Sequence, residues 1–266
     1  MSRERPKSEH NERREQFHDL AICTSTLYKD DPISMVREKL ALKLLKNAEA
    51  LGVRCVVVDG GSNSGFLDQI KAMRHVTLIE DHESGMGESR RKTFRRAFEL
   101  PAIEYILWTE PEKDDLITEQ NLQKMISDLR SGGADIIVPR RKSLDSMTKF
   151  QAWIESRANR QASRLAQSEA GEEEVWDFWF GPKMFNREGG RYFADYLGKL
   201  DKWDATIKPV IDAYRAGKTV KTVEVDYTYD PAQTESEEHN REIKRKRVAQ
   251  YGPILKELSD PFWKDR

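Results

Sequence analysis

The sequence predicts an α/β protein built as a single domain, with a Rossmann-like, mainly parallel sheet flanked by helices. Two observations lead to this prediction. Short apolar runs, typical of buried parallel strands, alternate in the first half of the chain with longer segments whose apolar residues recur at helical spacing. The 266 residues are enough to bury a core, and they contain no internal repeat and no linker long enough to separate independent domains.

The first half of the chain holds the regular part of this alternation. Strands are predicted at residues 20–23, 55–58, 76–79, 105–108 and 134–139. Helices are predicted at residues 33–51, 66–73, 84–100 and 120–130. Ligands of open parallel sheets bind beyond the carboxyl ends of the strands. Thr24, Asp59 and Glu110 are therefore of interest, because each lies just after a strand.

The second half of the chain is less regular. Helices are predicted at residues 146–167 and 205–216, and a half-exposed strand of alternating pattern at 220–229. A charged helix is predicted at residues 234–256. This half has no strand–helix alternation of its own, so we expect it to complete the same domain.

The composition excludes several classes of partner. The formal net charge is −1, from 45 basic and 46 acidic residues, so no global basic field exists to attract nucleic acid or an anionic membrane. No apolar run approaches the roughly 20 residues of a membrane helix, and the polar residues 1–16 lack the apolar core of a secretory signal. We expect a cytoplasmic protein with a disordered N-terminus, and buried free thiols at Cys23 and Cys55.

The segment Glu110-Pro111-Glu112 is the strongest candidate for a metal site. Two carboxylates leave the end of an apolar strand, and Mg²⁺ is often held by one or two carboxylates with substrate phosphates completing its shell. The alternative interpretation is a solvated acidic turn, because Asp114 and Asp115 follow. His239, in the polar C-terminal segment, is either an exposed histidine or an additional ligand of the same metal.

Two further segments are candidates for binding a nucleotide. Asp59 precedes Gly60-Gly61-Ser62, so its carboxylate either accepts from a base or ribose or caps an ordinary turn. Arg90, Arg91 and Lys92 follow a glycine-containing helix start, where anions are favoured. The alternative for these cations is a solvated helix face.

The second half offers candidates for catalysis and for acceptor binding. Asp201 and Asp204 precede a predicted helix, so each is either an N-cap or a group that takes a proton from, or anchors, an acceptor hydroxyl. Trp176, Asp177 and Trp179 either pack in the core or form a wall against which an acceptor sugar stacks.

The order of these segments resembles the family-2-like glycosyltransferases of the GT-A fold. The resemblance covers about residues 20–229, and its individual motifs are loose, so that their order and spacing carry it. It implies that Thr24 and Ser25 lie at the nucleobase site, that Asp59 holds the nucleoside, and that Glu110-Pro111-Glu112 takes the place of the Asp-x-Asp metal motif. The sequence departs from the pattern there, with glutamate in both acidic positions, and it has Trp203-Asp204 where an acidic pair is usual.

The resemblance implies an enzyme that moves a sugar from a nucleoside-diphosphate sugar to a hydroxyl acceptor, a small molecule or a glycan, with Mn²⁺ or Mg²⁺. It divides the chain into a nucleotide-binding half at 17–142, an acceptor half at 143–233 and a charged C-terminal helix or tail at 234–266. A homodimer is a further expectation. Two alternatives stay open: a sugar-phosphate nucleotidyltransferase, and a catalytically degenerate protein that only binds nucleotide-sugars.

Overall fold

A computed structural model describes residues 16–167, 174–238 and 240–259 of the chain. The N-terminal segment predicted to be disordered, apart from Gln16, lies outside the described residues, and so does His239. No helix in the described part of the chain is long and apolar enough to cross a membrane.

The centre of the protein is one seven-stranded sheet with the strand order β3-β2-β1-β4-β6-β5-β7. The strands are β1 (Leu20–Thr26), β2 (Arg54–Asp59), β3 (Val76–Glu80), β4 (Tyr105–Trp108), β5 (Ile136–Arg141), β6 (Lys183–Asn186) and β7 (Val220–Val225). Strand β6 is antiparallel to both of its neighbours, and the other pairs are parallel. The carboxyl ends of β1, β2 and β4 therefore meet at one edge of the sheet.

Helices cover both faces of this sheet and bury two separate hydrophobic clusters against it. They are α1 (Pro32–Ala50), α2 (Ser64–Lys71), α3 (Met86–Glu99), α4 (Glu119–Arg130), α5 (Lys149–Gln167), α6 (Arg187–Ala194), α7 (Lys208–Arg215), α8 (Pro231–Glu238) and α9 (Arg241–Ser259). Local signals set their starts. Asp31, for example, accepts hydrogen bonds from the first free N–H groups of α1, whose first residue is Pro32.

The predicted elements of the first half are all present, with ends that shift by up to three residues. Strand β6 and helix α6 were not predicted. Strand β6 has only four residues and starts with a lysine. Helix α6 contains Gly189 and Gly190, which lower helix propensity but are needed here, because a Cβ at Gly189 would overlap the backbone of Asp135.

The single charged helix predicted at the C-terminus is two helices, α8 and α9. Asn240 separates them, and its side chain accepts hydrogen bonds from the backbone N–H groups of Glu242 and Ile243 at the start of α9. Asparagine is a favoured N-cap residue because its side-chain oxygen satisfies these free donors. The interruption lets α9 turn back and pack against α5.

Candidate active site

A cleft of about 530 Å³ opens beside the carboxyl end of β4. One wall is the segment that follows β4, and another is the turn that precedes β6. Further walls come from the start of α1, from α5, from the segment 203–207 before α7, from Tyr229, and from the C-terminal helices α8 and α9. The cleft therefore lies where the rule for parallel sheets places a ligand, and the C-terminal helices form part of its lining.

Glu110 lies in the wall of this cleft, two residues beyond β4. Its carboxylate rests against Gly181, where a Cβ atom would overlap it, and Gly181 has a φ of +101° that also favours glycine. The Oε2 atom is buried and has no hydrogen-bond partner among the described residues. A buried carboxylate oxygen without a partner is costly, so the hydrogen-bonding capacity of this atom is unmet in this conformation.

Glu112 also lines the cleft, but it is partly neutralised by the protein. Its side chain is 14% exposed, and Arg37 lies 3.9 Å away. Burial raises the pKa of Glu112, Arg37 opposes the rise, and Glu110 adds to it, so that the net shift is upward. Glu110 and Glu112 thus differ, because only Glu110 has a buried oxygen with no partner.

The residues present fit a divalent cation only in part. Among the described residues no group of three or more His, Cys, Asp and Glu side chains could hold a metal ion. Glu110 and Glu112 would supply one or two carboxylates, which suffices for Mg²⁺ or Mn²⁺ when substrate phosphates provide further ligands. The cation therefore fits together with a diphosphate, whereas the described residues alone offer too few ligands.

Asp59 ends β2 but does not line the cleft. It is fully buried and accepts hydrogen bonds from the hydroxyl of Thr26 at 2.7 Å and from the backbone of Gly61 and Ser62, each at 2.8 Å. This is the geometry of the turn cap that the sequence offered as the alternative. Of the two residues expected at the nucleobase, Thr24 is buried, with no hydrogen-bond partner for its hydroxyl among the described residues, and Ser25 is partly exposed.

The three cations at the start of α3 have separate environments. Arg91 makes a two-pronged ion pair with Asp201, at 2.5 and 2.8 Å. Lys92 binds Asp81 at 2.6 Å. Arg90 is buried between the rings of Trp108 and Trp203, at 5.2 and 5.1 Å from their centroids. Arg91 and Lys92 are thus neutralised by the protein, and Arg90 has no carboxylate within ion-pair distance in the described part of the chain.

Burial also acts on the charge of Arg90. Burial lowers its pKa to about 10, although the carboxylates of Glu110, Asp204 and Asp201 oppose this shift. A guanidinium with that pKa is still charged at neutral pH. Arg90 therefore keeps a positive charge near Glu110.

Both aspartates expected to act in catalysis are held by internal hydrogen bonds. Asp204 is fully buried and accepts from the hydroxyl of Tyr196 at 2.7 Å and from the backbone N–H of Lys202 at 2.8 Å. Asp201, at a φ of +48°, lies against Gly87 in the first turn of α3 and pairs with Arg91. Neither carboxylate lines the cleft in this conformation, whereas Trp203 between them does.

The three residues predicted to form an acceptor wall differ in whether they reach the cleft. Trp176 is 1% exposed and packs edge-on against Phe178, so the core-packing alternative describes it. Asp177 is buried in a salt bridge with Arg141 at 2.7 Å. Burial raises the pKa of Asp177, but Arg141 outweighs this effect and the net shift is downward. Trp179 alone of the three predicted residues lines the cleft, 6.4 Å from the ring of Tyr251 in α9.

A chain of charged residues that the sequence analysis missed crosses the cleft. Glu237 of α8 lies 2.9 Å from Arg37 of α1 and 2.6 Å from Arg247 of α9. Arg247 continues to Glu155 of α5 at 3.1 Å, and Glu155 pairs with the buried Arg141 at 2.9 Å. No sequence pattern indicated these contacts, because the five residues belong to five different elements, most of which lie far apart along the chain.

Comparison with models of known protein families shows the family to which the chain belongs. The sequence model of Glycosyl transferase family 2 matches residues 37–190, which is more than half of the chain. The chain therefore belongs to Glycosyl transferase family 2, as the resemblance predicted. A comparison with curated protein sequences gave no match.

Solved structures similar to this chain include glucosyl-3-phosphoglycerate synthase from Mycobacterium tuberculosis. Its complex with Mn²⁺, UDP and phosphoglyceric acid has a TM-score of 0.56 and 12% identity, and the match covers 95% of this chain and 84% of that one. Its complex with Mn²⁺, UDP-glucose and phosphoglyceric acid gives 0.56 and 12%, over 95% and 86%. Its complex with phosphoglyceric acid alone gives 0.56 and 13%, over 97% and 87%. These similarities confirm the GT-A fold.

Proposed function

We propose that this glycosyltransferase moves a sugar from a nucleoside-diphosphate sugar to a hydroxyl acceptor, with assistance from a divalent cation. The observation that carries the proposal is the carboxylate of Glu110. It lies at the carboxyl end of a central strand, in the wall of the cleft, with an unpartnered buried oxygen. No described residue satisfies this oxygen, so a cation that arrives with the diphosphate is the partner that suits it.

The donor is proposed to be a UDP-sugar. The support is the family membership together with the similar fold of a synthase whose solved complexes contain UDP or UDP-glucose and Mn²⁺. In this proposal Glu110 is the main protein ligand of Mn²⁺ or Mg²⁺, and Glu112 is a weaker second ligand because Arg37 already lies beside it. A bound divalent cation neutralises charge that develops on a leaving diphosphate.

The acceptor is proposed to bind between α5, Trp179 and α9. Trp179 and Tyr251 present aromatic rings at that side of the cleft, and Gln151 and Gln250 present amides there. Flat rings with polar groups beside them suit a polyhydroxylated molecule. The catalytic roles of Asp204 and Asp201 stay predictions, and either role requires the segment around Trp203 to move so that a carboxylate reaches the cleft.

A thermal-unfolding screen with UDP-, GDP- and ADP-sugars, each with and without Mn²⁺, tests the donor class. A ligand that binds the folded protein raises its unfolding temperature, and the rise grows with the logarithm of the ligand concentration divided by its Kd. We expect the largest rise with a UDP-sugar and Mn²⁺ together. The Glu110→Gln variant is expected to lose the part of the rise that depends on Mn²⁺.

Glu119→Gln, which changes an exposed carboxylate at the start of α4, is the matched control and is expected to behave as the wild type. Equal stabilisation of the wild type and Glu110→Gln by the donor and Mn²⁺ would contradict the role given to Glu110. Absence of any response to the nucleotide-sugars in the wild type would contradict the proposed donor class.

A further inference from the structure

The cleft wall contains a buried cation that has no counter-ion among the described residues. Lys113 lines the cleft directly after Glu112, and the whole residue is 7% exposed. Within the described part of the chain, its ammonium has one hydrogen-bond partner, the hydroxyl of Tyr229 at 3.0 Å, and no carboxylate within 4.0 Å. A lysine ammonium carries three donors. Two of them therefore have no hydrogen-bond partner among the described residues.

The aromatic surroundings of Lys113 explain how its charge is tolerated. Its Nζ lies 4.1 Å from the ring centroid of Tyr229, 5.2 Å from that of Tyr227 and 5.3 Å from that of Phe180. Ring faces attract a cation, but they neutralise none of its charge. The three rings therefore hold the ammonium in place and leave its charge for another partner.

Two more buried cations lie near Glu110 without an ion pair. Arg90 and Lys183 are 3% and 0% exposed, and no carboxylate of the described residues lies within ion-pair distance of either. Lys183 donates to the backbone carbonyls of Phe178 and Gly181, at 3.2 and 3.0 Å. Arg90 and Lys183 therefore place two further positive charges near Glu110, and the carboxylates of Asp204 and Asp177 also act on them.

A buried ammonium that has a hydroxyl but no carboxylate beside it among the described residues suits an anionic ligand. Burying unpaired charge is costly, and a fold keeps it where a ligand supplies the opposite charge. We propose that Lys113 binds a phosphate group of a substrate, either in the diphosphate of the donor or on a phosphorylated acceptor. Arg90 and Lys183 do not line the cleft, so neither is assigned a direct contact with the phosphate. The proposal rests on the proposed function.

Calorimetric titration of the Lys113→Met variant tests this proposal. The probes are UDP, inorganic pyrophosphate, uridine and 3-phosphoglycerate, each added to the full chain with Mn²⁺ present. Loss of one charge-assisted contact to phosphate is expected to weaken binding by about 10- to 100-fold. Uridine, which has no phosphate, is expected to bind both proteins equally. The Lys113→Arg variant keeps the charge and is expected to recover most of the affinity.

The pattern among the probes identifies the source of the phosphate. Weaker UDP and pyrophosphate binding, with 3-phosphoglycerate unchanged, assigns Lys113 to the donor, and the reverse pattern assigns it to the acceptor. Lys46→Met, at an exposed lysine of α1 outside the cleft, controls for the change in net charge. Urea unfolding confirms that each variant is folded.

Equal affinities of the wild type and Lys113→Met for every phosphate-containing probe would overturn the inference. The proposed function would stand in that case, provided that the wild type binds UDP. A wild type that binds none of these probes would overturn both the inference and the proposed donor.

Discussion

The guanidinium of Arg37 in α1 lies 2.9 Å from the carboxylate of Glu237 in α8, and so joins the first helix of the domain to its C-terminal helices across the cleft. The Glu237 side chain is 7% exposed, and that of Arg37 is 37% exposed. Arg37 also lies beside Glu112. One side chain therefore connects a candidate metal ligand with the helices that cover the cleft.

Because Arg37 and Glu237 are partly shielded from water, their pair is expected to stabilise the fold measurably. A double-mutant cycle with Arg37→Gln and Glu237→Gln, followed by urea unfolding, should give a coupling energy of about 1 kcal/mol. The exposed pair Lys124–Asp226, at 3.4 Å, is the control and should give a value near zero. Equal coupling energies for the two pairs would contradict this prediction.

Glu112 is expected to make stability depend on pH. Its pKa is raised in the folded protein, so the folded state favours the protonated form relative to the unfolded state, where the pKa is near 4.5. Its favourable contribution is therefore complete below pH 4.5 and is lost as the pH rises through the folded pKa. Without metal, Glu112→Gln should unfold at higher urea concentration than the wild type at pH 8, and this advantage should shrink toward pH 4. If Glu112→Gln were more stable than the wild type by the same amount at every pH, the raised pKa of Glu112 would not be the cause.

Gly181 is expected to be intolerant of any side chain. Alanine there would adopt an unfavourable φ of +101° and would overlap the Glu110 carboxylate. Gly181→Ala should therefore lower the free energy of unfolding by more than the roughly 1–3 kcal/mol of backbone strain alone, and should reduce binding of metal with UDP. The control is Gly132→Ala, because Gly132 has a φ of +72° but open space around it. If both variants lose the same stability, the contact with Glu110 has no energetic importance.

Asp177 is expected to act in stability and not in substrate binding. It pairs with the buried Arg141, and Asn159 donates to it at 2.7 Å. Asp177→Asn removes a negative charge from beside the buried guanidinium of Arg141. It should lower the free energy of unfolding by about 3–5 kcal/mol, measured by urea unfolding. Asp226→Asn, at a surface position, should cost well under 1 kcal/mol. A folded Asp177→Asn variant of normal stability that fails to bind an acceptor would instead support the acceptor role.

The sequence by itself determined the strand–helix alternation in the first half of the chain. Buried parallel strands are continuous apolar runs, and a run such as Tyr105–Trp108 can be located without knowledge of its neighbours. The same local reasoning placed Glu110 at the carboxyl end of a central strand, where the cleft lies. It could not find β6, because a short strand that begins with a buried lysine has no pattern of its own.

Only the tertiary structure decided which of the candidate residues meet. Asp59, Arg91 and Asp204 each carry a charge that suits a ligand, yet each is satisfied by partners inside the protein. Lys113 and Arg37 had no motif to identify them, yet both line the cleft. The physical reason is that a charged group is most available to a ligand where the fold leaves its charge unpaired. That pairing depends on residues distant in sequence, which no local pattern records.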